Sequence, residues 1–161
     1  MSSTIRVIDL PPHARRARHE HRVERFTRDH RLLTDLRDLG VDRDAARRVV
    51  DHVCATFSVP APELTFHRGR SAHTGYCVAP KHTAVERHGT DAVGRWEATH
   101  APWPRNGMIR LGDPTSLATI AHELGHHLVH FLERTTTPAH GKVWVGRFDD
   151  AAAAVAALLD R

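Results

Sequence analysis

Cysteine is nearly missing from this chain of 161 residues: Cys54 and Cys77 are the only two. Two thiols cannot staple a domain of this size, so a disulfide scaffold is excluded and both are expected to be reduced, as in a cytoplasmic protein. No run approaches the roughly 18 consecutive apolar residues of a membrane span. The opening MSSTIRVIDLPPHARRARHEH lacks the apolar stretch of a secretory leader. No membrane partner is expected. Lysine is almost missing too, with Lys81 and Lys142 against 21 arginines. Alongside 21 alanines, that imbalance reads as coding bias rather than arginine chemistry. Tyrosine occurs once, at Tyr76. Internal repeats are lacking, and the alanine run at 151–157 is the one low-complexity stretch.

What remains is ordinary in proportion: 40% hydrophobic and 26% charged, a globular composition rather than a disordered one. One α+β domain over 1–161 is expected, with 1–12 as an extended arm. Residues 13–48 hold eleven arginines against seven carboxylates, an excess equal to the whole net charge of +4. Nucleic acid is a weak candidate partner on this ground, because the acids are interleaved and a solvated helix face gives the same pattern. The unusual count is fifteen histidines.

Apolar spacing sets out the elements. Val23, Phe26, Leu33 and Leu36 predict a helix over 13–39 that stops at Gly40. Ala46, Val49, Val50, Val53 and Phe57 stripe a second helix over 43–57, capped by Asp42 and ended by Pro60 and Pro62. Alternation predicts strands at 63–67 and 75–79. Residues 81–105 read as loops with one strand near 92–99. Gly107–Gly112 is a short strand between glycines, and the alanine run belongs to a terminal helix.

The chemistry lies in residues 113–133, DPTSLATIAHELGHHLVHFLE, with Asp113 as the expected N-cap and Pro114 at the first helical position. Inside is His122-Glu123-Leu124-Gly125-His126, an H-E-x-x-H sequence. Four residues apart, the two imidazoles sit one turn apart and about 40° round the helix. They can therefore share a zinc ion, with Glu123 beside it as general base. Leu117, Ile120, Leu124, Leu128 and Phe131 gather on the other side as core. Zinc needs a third protein ligand. Val129 and Leu132 stand where the metzincin continuation needs glycine and histidine, so that class is excluded. His127 and His130 point away or lie too far along. His140 follows a turn over 134–138 and opens a returning segment. Glu133, Asp149 and Asp150 are the acidic competitors for the same role.

H-E-x-x-H followed at this distance by His140-Gly141-x-x-Trp144 resembles the SprT-like zinc metallopeptidases, and small actinobacterial metallohydrolases of about this length. The match covers 107–148. It implies a small zincin: a twisted sheet, N-terminal helices, an active-site helix and a C-terminal helix. It also implies one Zn2+ on His122, His126 and His140, with Glu123 as catalytic acid/base. No zinc-ribbon pattern is present, so the DNA-repair roles of some relatives are not part of the expectation.

The reading that follows is a cytoplasmic zinc metallopeptidase in which Glu123 assists attack of zinc-bound water on a peptide or protein substrate. Tyr76 and Arg110 are candidate transition-state donors, Trp144 is core, and Asp149 or Asp150 is a candidate to orient a ligand imidazole. The substrate is expected to lie antiparallel to Gly107–Leu111, taken as an edge strand. The alternatives are a zinc hydrolase of another amide or ester, and a zinc-stabilised module that binds nucleic acid or protein without catalysis.

Overall fold

The computed structural model describes residues 5–11, 30–69, 71–134 and 136–159. Residues 13–29 of the helix expected over 13–39 lie outside them, as do 1–4 and Pro12 of the arm. The chain is mixed α+β with two small sheets and six helices among the described residues. Strand β1 (Ile8–Asp9) leads to α1 (His30–Asp38), which buries Leu33 and Leu36. The chain then enters β2 (Leu39–Val41). Gly40 is therefore not a helix stop. It lies inside a strand, where a Cβ would fall 2.7 Å from a Leu10 methyl.

Asp42 caps α2 (Arg43–Thr56) by accepting from the Ala45 N–H at 2.9 Å. The apolar stripe of this helix buries Ala46, Val49, Val50 and Val53, as its spacing predicts. Strand β3 (Glu63–Arg68) follows the prolines, and β4 (Gly75–Val78) comes next. Residues 81–105 contain no strand. They hold α3 (Lys81–His88) and α4 (Thr90–Thr99), joined at Gly89, whose φ of 86° suits glycine.

Strand β5 (Met108–Asp113) pairs in parallel with β3 and antiparallel with β4, giving the order β3-β5-β4. The strand expected to form an exposed edge is thus the middle of its sheet. Both of its sides are already paired, and no peptide can add to it; β4 is an edge. Parallel pairing of β3 with a partner some forty residues away leaves no local trace, which is why sequence spacing missed it.

Strand β6 (Thr115–Ser116) pairs with β2 to close the small sheet β1-β2-β6. It leads into α5 (Leu117–Leu132). The cap of α5 is Ser116, whose Oγ accepts from the Thr119 N–H at 3.0 Å. Asp113 instead extends β5 opposite Arg68 and pairs with Arg43, so Pro114 is a linker and not the first helical residue. Leu117, Ile120, Leu124 and Leu128 of α5 are fully buried. Each such side chain contributes about 1.5–3 kcal/mol by leaving water.

The last helix, α6 (Lys142–Leu159), packs along α5 more extensively than any other element. The alanine run lies in this helix as expected, and Ala151, Ala152 and Ala154 are buried. No described helix is long and apolar enough to cross a membrane.

Candidate metal centre

Helix α5 turns its leucine face into the core, and this rotation fixes where His122 and His126 point. The third histidine arrives from the connection to α6. His140 adopts φ 55°, the left-handed region that non-glycine residues avoid, just before Gly141 and the first turn of α6. This backbone brings its imidazole over α5. His140 Nε2 lies 2.9 Å from His126 Nε2 and 3.1 Å from His122 Nε2. Among the described residues these three are the one group of histidine, cysteine or carboxylate side chains close enough to hold a metal together.

The donor set fits a metal. Three converging ring nitrogens carry lone pairs that repel, and a single N–H can bridge only one pair of them. A cation satisfies all three. Zinc with Zn–N bonds of about 2.0–2.1 Å in tetrahedral array would separate its nitrogens by about 3.3 Å, a few tenths more than the spacing seen.

Trp144 forms the floor of the cluster. Its ring centroid lies 4.7 Å from His122, 5.2 Å from His126 and 4.7 Å from His140, and it is buried. It is core, as expected, and it also wedges the three imidazoles. The helix crossing beneath it depends on Gly125, where a Cβ would meet Trp144 Nε1 at 3.0 Å and the Phe148 backbone at 3.2 Å. Sequence reasoning passed over Gly125. The signal was available, since a glycine inside an otherwise strong helix costs about 1 kcal/mol against alanine and points to a close approach.

Glu123 is 4% exposed, and burial pushes its carboxyl up to about 8. It sits against β4, where a Cβ on Gly75 would fall 3.1 Å from Glu123 Cγ. Cys77, two residues on and on the same strand face, lines the cavity with Glu123. Burial, with the Glu123 charge adding, pushes its thiol up. Both cysteines are free, and burial with Asp51 pushes Cys54 up to about 12.

The other anticipated residues stand apart from the histidine cluster. Arg110 donates to Tyr76 Oη at 3.0 Å, the two being cross-strand partners on β5 and β4. Alternation puts that pair on the sheet face opposite Gly75 and Cys77. Tyr76 is among the residues lining the cavity, and Arg110 is not. Glu133 and Asp150 both pair with Arg147, at 2.7 and 3.4 Å. Asp149 lies on α6 outside the metal group. His127 turns into the core and donates from Nε2 to the Pro60 carbonyl at 2.7 Å, with burial pushing its pKa down. His130 lies one turn beyond His126 and lines the cavity.

That cavity has a volume of about 590 Å³ and opens over His122, Glu123, His126 and His140. Its walls come from β4, from Arg87 at the end of α3, and from residues 136–140. The size is that of a ligand site for a small molecule or a few residues of peptide. Comparison of the chain with models of known families, with curated proteins and with solved structures finds no match.

Proposed function

We propose that the protein is a zinc-dependent hydrolase of the zincin type, most simply a metallopeptidase resembling the SprT-like enzymes. One observation carries this reading: three imidazole Nε2 atoms, 2.9 and 3.1 Å apart, converge beside a buried glutamate at the floor of an open cavity. Structural zinc sites are closed by four protein ligands, whereas catalytic ones keep three and leave one position open. A carboxylate that is not a ligand, placed next to that position, is what hydrolysis needs and a purely structural site does not.

Bound zinc would supply a Lewis acid and a more acidic water. His122, His126 and His140 would bind through Nε2, which fixes each Nδ1 as the protonated nitrogen. Trp144 holds the three rings at that spacing. Glu123 takes the proton of the attacking water on a carboxylate oxygen and delivers it to the leaving nitrogen. Its burial keeps water off the proton path, and a cation alongside favours its ionised form. The peptide would extend along β4, the sheet edge that borders the cavity, in place of the paired β5.

The test has two measurements. Protein purified without chelator is expected to carry about one zinc per chain, and no stoichiometric transition metal would overturn the reading. Glu123→Gln is expected to keep the zinc and lose hydrolysis of an unfolded protein substrate. A binding module would keep its function in that variant.

A further inference from the structure

We propose that Glu133 and Arg147 are positioning residues for His140: their ion pair ties the start of the α5–α6 connection to α6 and so holds the third imidazole over His122 and His126. The proposal rests on the metal reading above and adds what keeps the third ligand in place. Glu133 is the residue at which α5 ends, and Arg147 lies in the second turn of α6, seven residues beyond His140. Arg147 Nε donates to Glu133 Oε1 at 2.9 Å, and Nη2 reaches the same oxygen at 2.7 Å. Nη1 donates at 3.4 Å to Asp150 Oδ2, one turn further on. The guanidinium thus bridges a carboxylate of its own helix and the end of the other. Two N–H groups on one oxygen fix the direction of the contact as well as its length, which a lysine ammonium does not do.

The connection needs such a tie. Between Glu133 and Arg147 the chain reverses and presents His140 at φ 55°, a backbone that a residue with a Cβ avoids. Inside the connection, Thr137 N–H donates to the Arg134 carbonyl at 3.0 Å and Gly141 N–H to the Pro138 carbonyl at 3.3 Å. Both bonds close local turns, and neither reaches back to α5. Leu132 and Val143, which flank the connection, are exposed, so apolar packing does not take the place of the ion pair there. A site whose third ligand is already in place binds a metal more tightly than one that must first assemble. The apparent affinity falls in proportion to the fraction of molecules in the competent arrangement.

The experiment measures zinc affinity by competition with a chromophoric chelator. It compares the parent, Arg147→Gln, Glu133→Gln and the double variant, each with and without His140→Ala. Each single variant is expected to weaken zinc binding about fivefold, the reach of an ion pair whose members are about a quarter exposed. The double variant is expected to be no weaker than either single one, because the same contact is lost once. Arg147→Lys, which keeps the charge and loses the fork, is expected to recover part of the loss. With His140→Ala present, Arg147→Gln is expected to change the residual affinity by less than about twofold, since His122 and His126 sit on α5 whatever the connection does. Unchanged affinity in Arg147→Gln would overturn the positioning role. So would an equal loss with and without His140, which would mark an effect on the fold at large. Hydrogen exchange in chelator reads the tie without metal. The Thr137 and Gly141 amides are expected to exchange about fivefold faster in Arg147→Gln, with the amides of central α5 unchanged. Equal exchange at those two amides would also overturn the proposal. The two readings fail separately. A parent that binds no zinc but shows the exchange difference removes the metal reading and leaves the ion pair as what holds the connection. A parent that binds zinc with an affinity and exchange indifferent to Arg147 removes the positioning role alone.

Discussion

His140 pays for its position in backbone strain. A left-handed φ costs a residue with a Cβ about 1 kcal/mol, and at φ 55° His140 is held there by what its imidazole reaches. Two substitutions separate strain from ligation. His140→Ala is expected to lower zinc affinity by more than about 100-fold, because two imidazoles hold zinc poorly. Asp149→Ala and Asp150→Ala are expected to stay within about tenfold, as residues outside the ligand set. In metal-free protein, His140→Gly should be about 1 kcal/mol more stable than His140→Ala, since glycine adopts φ 55° without penalty. Metal titrations and denaturant melts check both. A larger loss from Asp149→Ala than from His140→Ala would overturn the ligand assignment.

His130 carries a pH signature at the same scale. Burial, with Arg87, His127 and His82 adding, pushes its pKa down to about 4, against about 6.5 in an unfolded chain. Above 6.5 neither state binds the proton, and His130 contributes no slope. As pH falls from 6.5 toward 4 the unfolded chain takes up a proton that the folded chain refuses, so stability falls. Below that, both states are protonated and the slope vanishes. Denaturant unfolding in chelator from pH 4 to 8 is expected to show a shallower acid limb for His130→Gln than for the parent. Equal limbs would show that His130 ionises as freely in the fold as outside it.

At the scale of elements, what the sequence revealed is what local spacing controls. The i, i+4 pair of His122 and His126, the leucine face of α5 and the valine stripe of α2 follow from 3.6-residue periodicity, and all three lie as that periodicity places them. The helices α3 and α4 escaped because they bury little, only Thr83 and Ala84 in one and Val93 in the other. Without an apolar stripe a surface helix has no period to read. The start of α5 was misplaced for a different reason. Asp113 and Ser116 are both good caps, and the choice falls to the pairing of Asp113 with Arg68 across β5 and β3.

The crossing of α5 and α6 gives a prediction of its own. Gly125→Ala gains about 1 kcal/mol of helix propensity. Its Cβ meets a buried tryptophan and the Phe148 backbone at 3.0–3.2 Å. Trp144 is wedged among three imidazoles and the backbone of α6 cannot retreat, so overpacking of about 1–3 kcal/mol wins. The variant is expected to melt several degrees lower and to bind zinc more weakly, as Trp144 is pushed into the histidines. A variant as stable as the parent would show that α6 slides freely over α5.

Across the whole molecule, the proposed metal joins parts that the chain connects only through the 133–141 segment. His122 and His126 belong to α5, and His140 stands at the entrance to α6, whose buried Trp144, Phe148 and alanines complete the core. A ligand that binds only the folded arrangement stabilises it by RT ln(1 + [L]/Kd), about 4 kcal/mol when free metal is a thousandfold above Kd. For a chain of this length each kcal/mol moves the melting temperature by about 2–4 °C, so stripping zinc is expected to lower it by about 10 °C. His140→Ala should melt near the stripped parent and respond little to chelator, because its metal is already gone. Glu123→Gln should respond as fully as the parent, since Glu123 is not a ligand in this arrangement. Differential scanning fluorimetry with and without EDTA, followed by zinc add-back, reads all three. Equal melting of the parent with and without chelator would mean that the histidine cluster does not tie α5 to α6 through a metal, whatever else those imidazoles do.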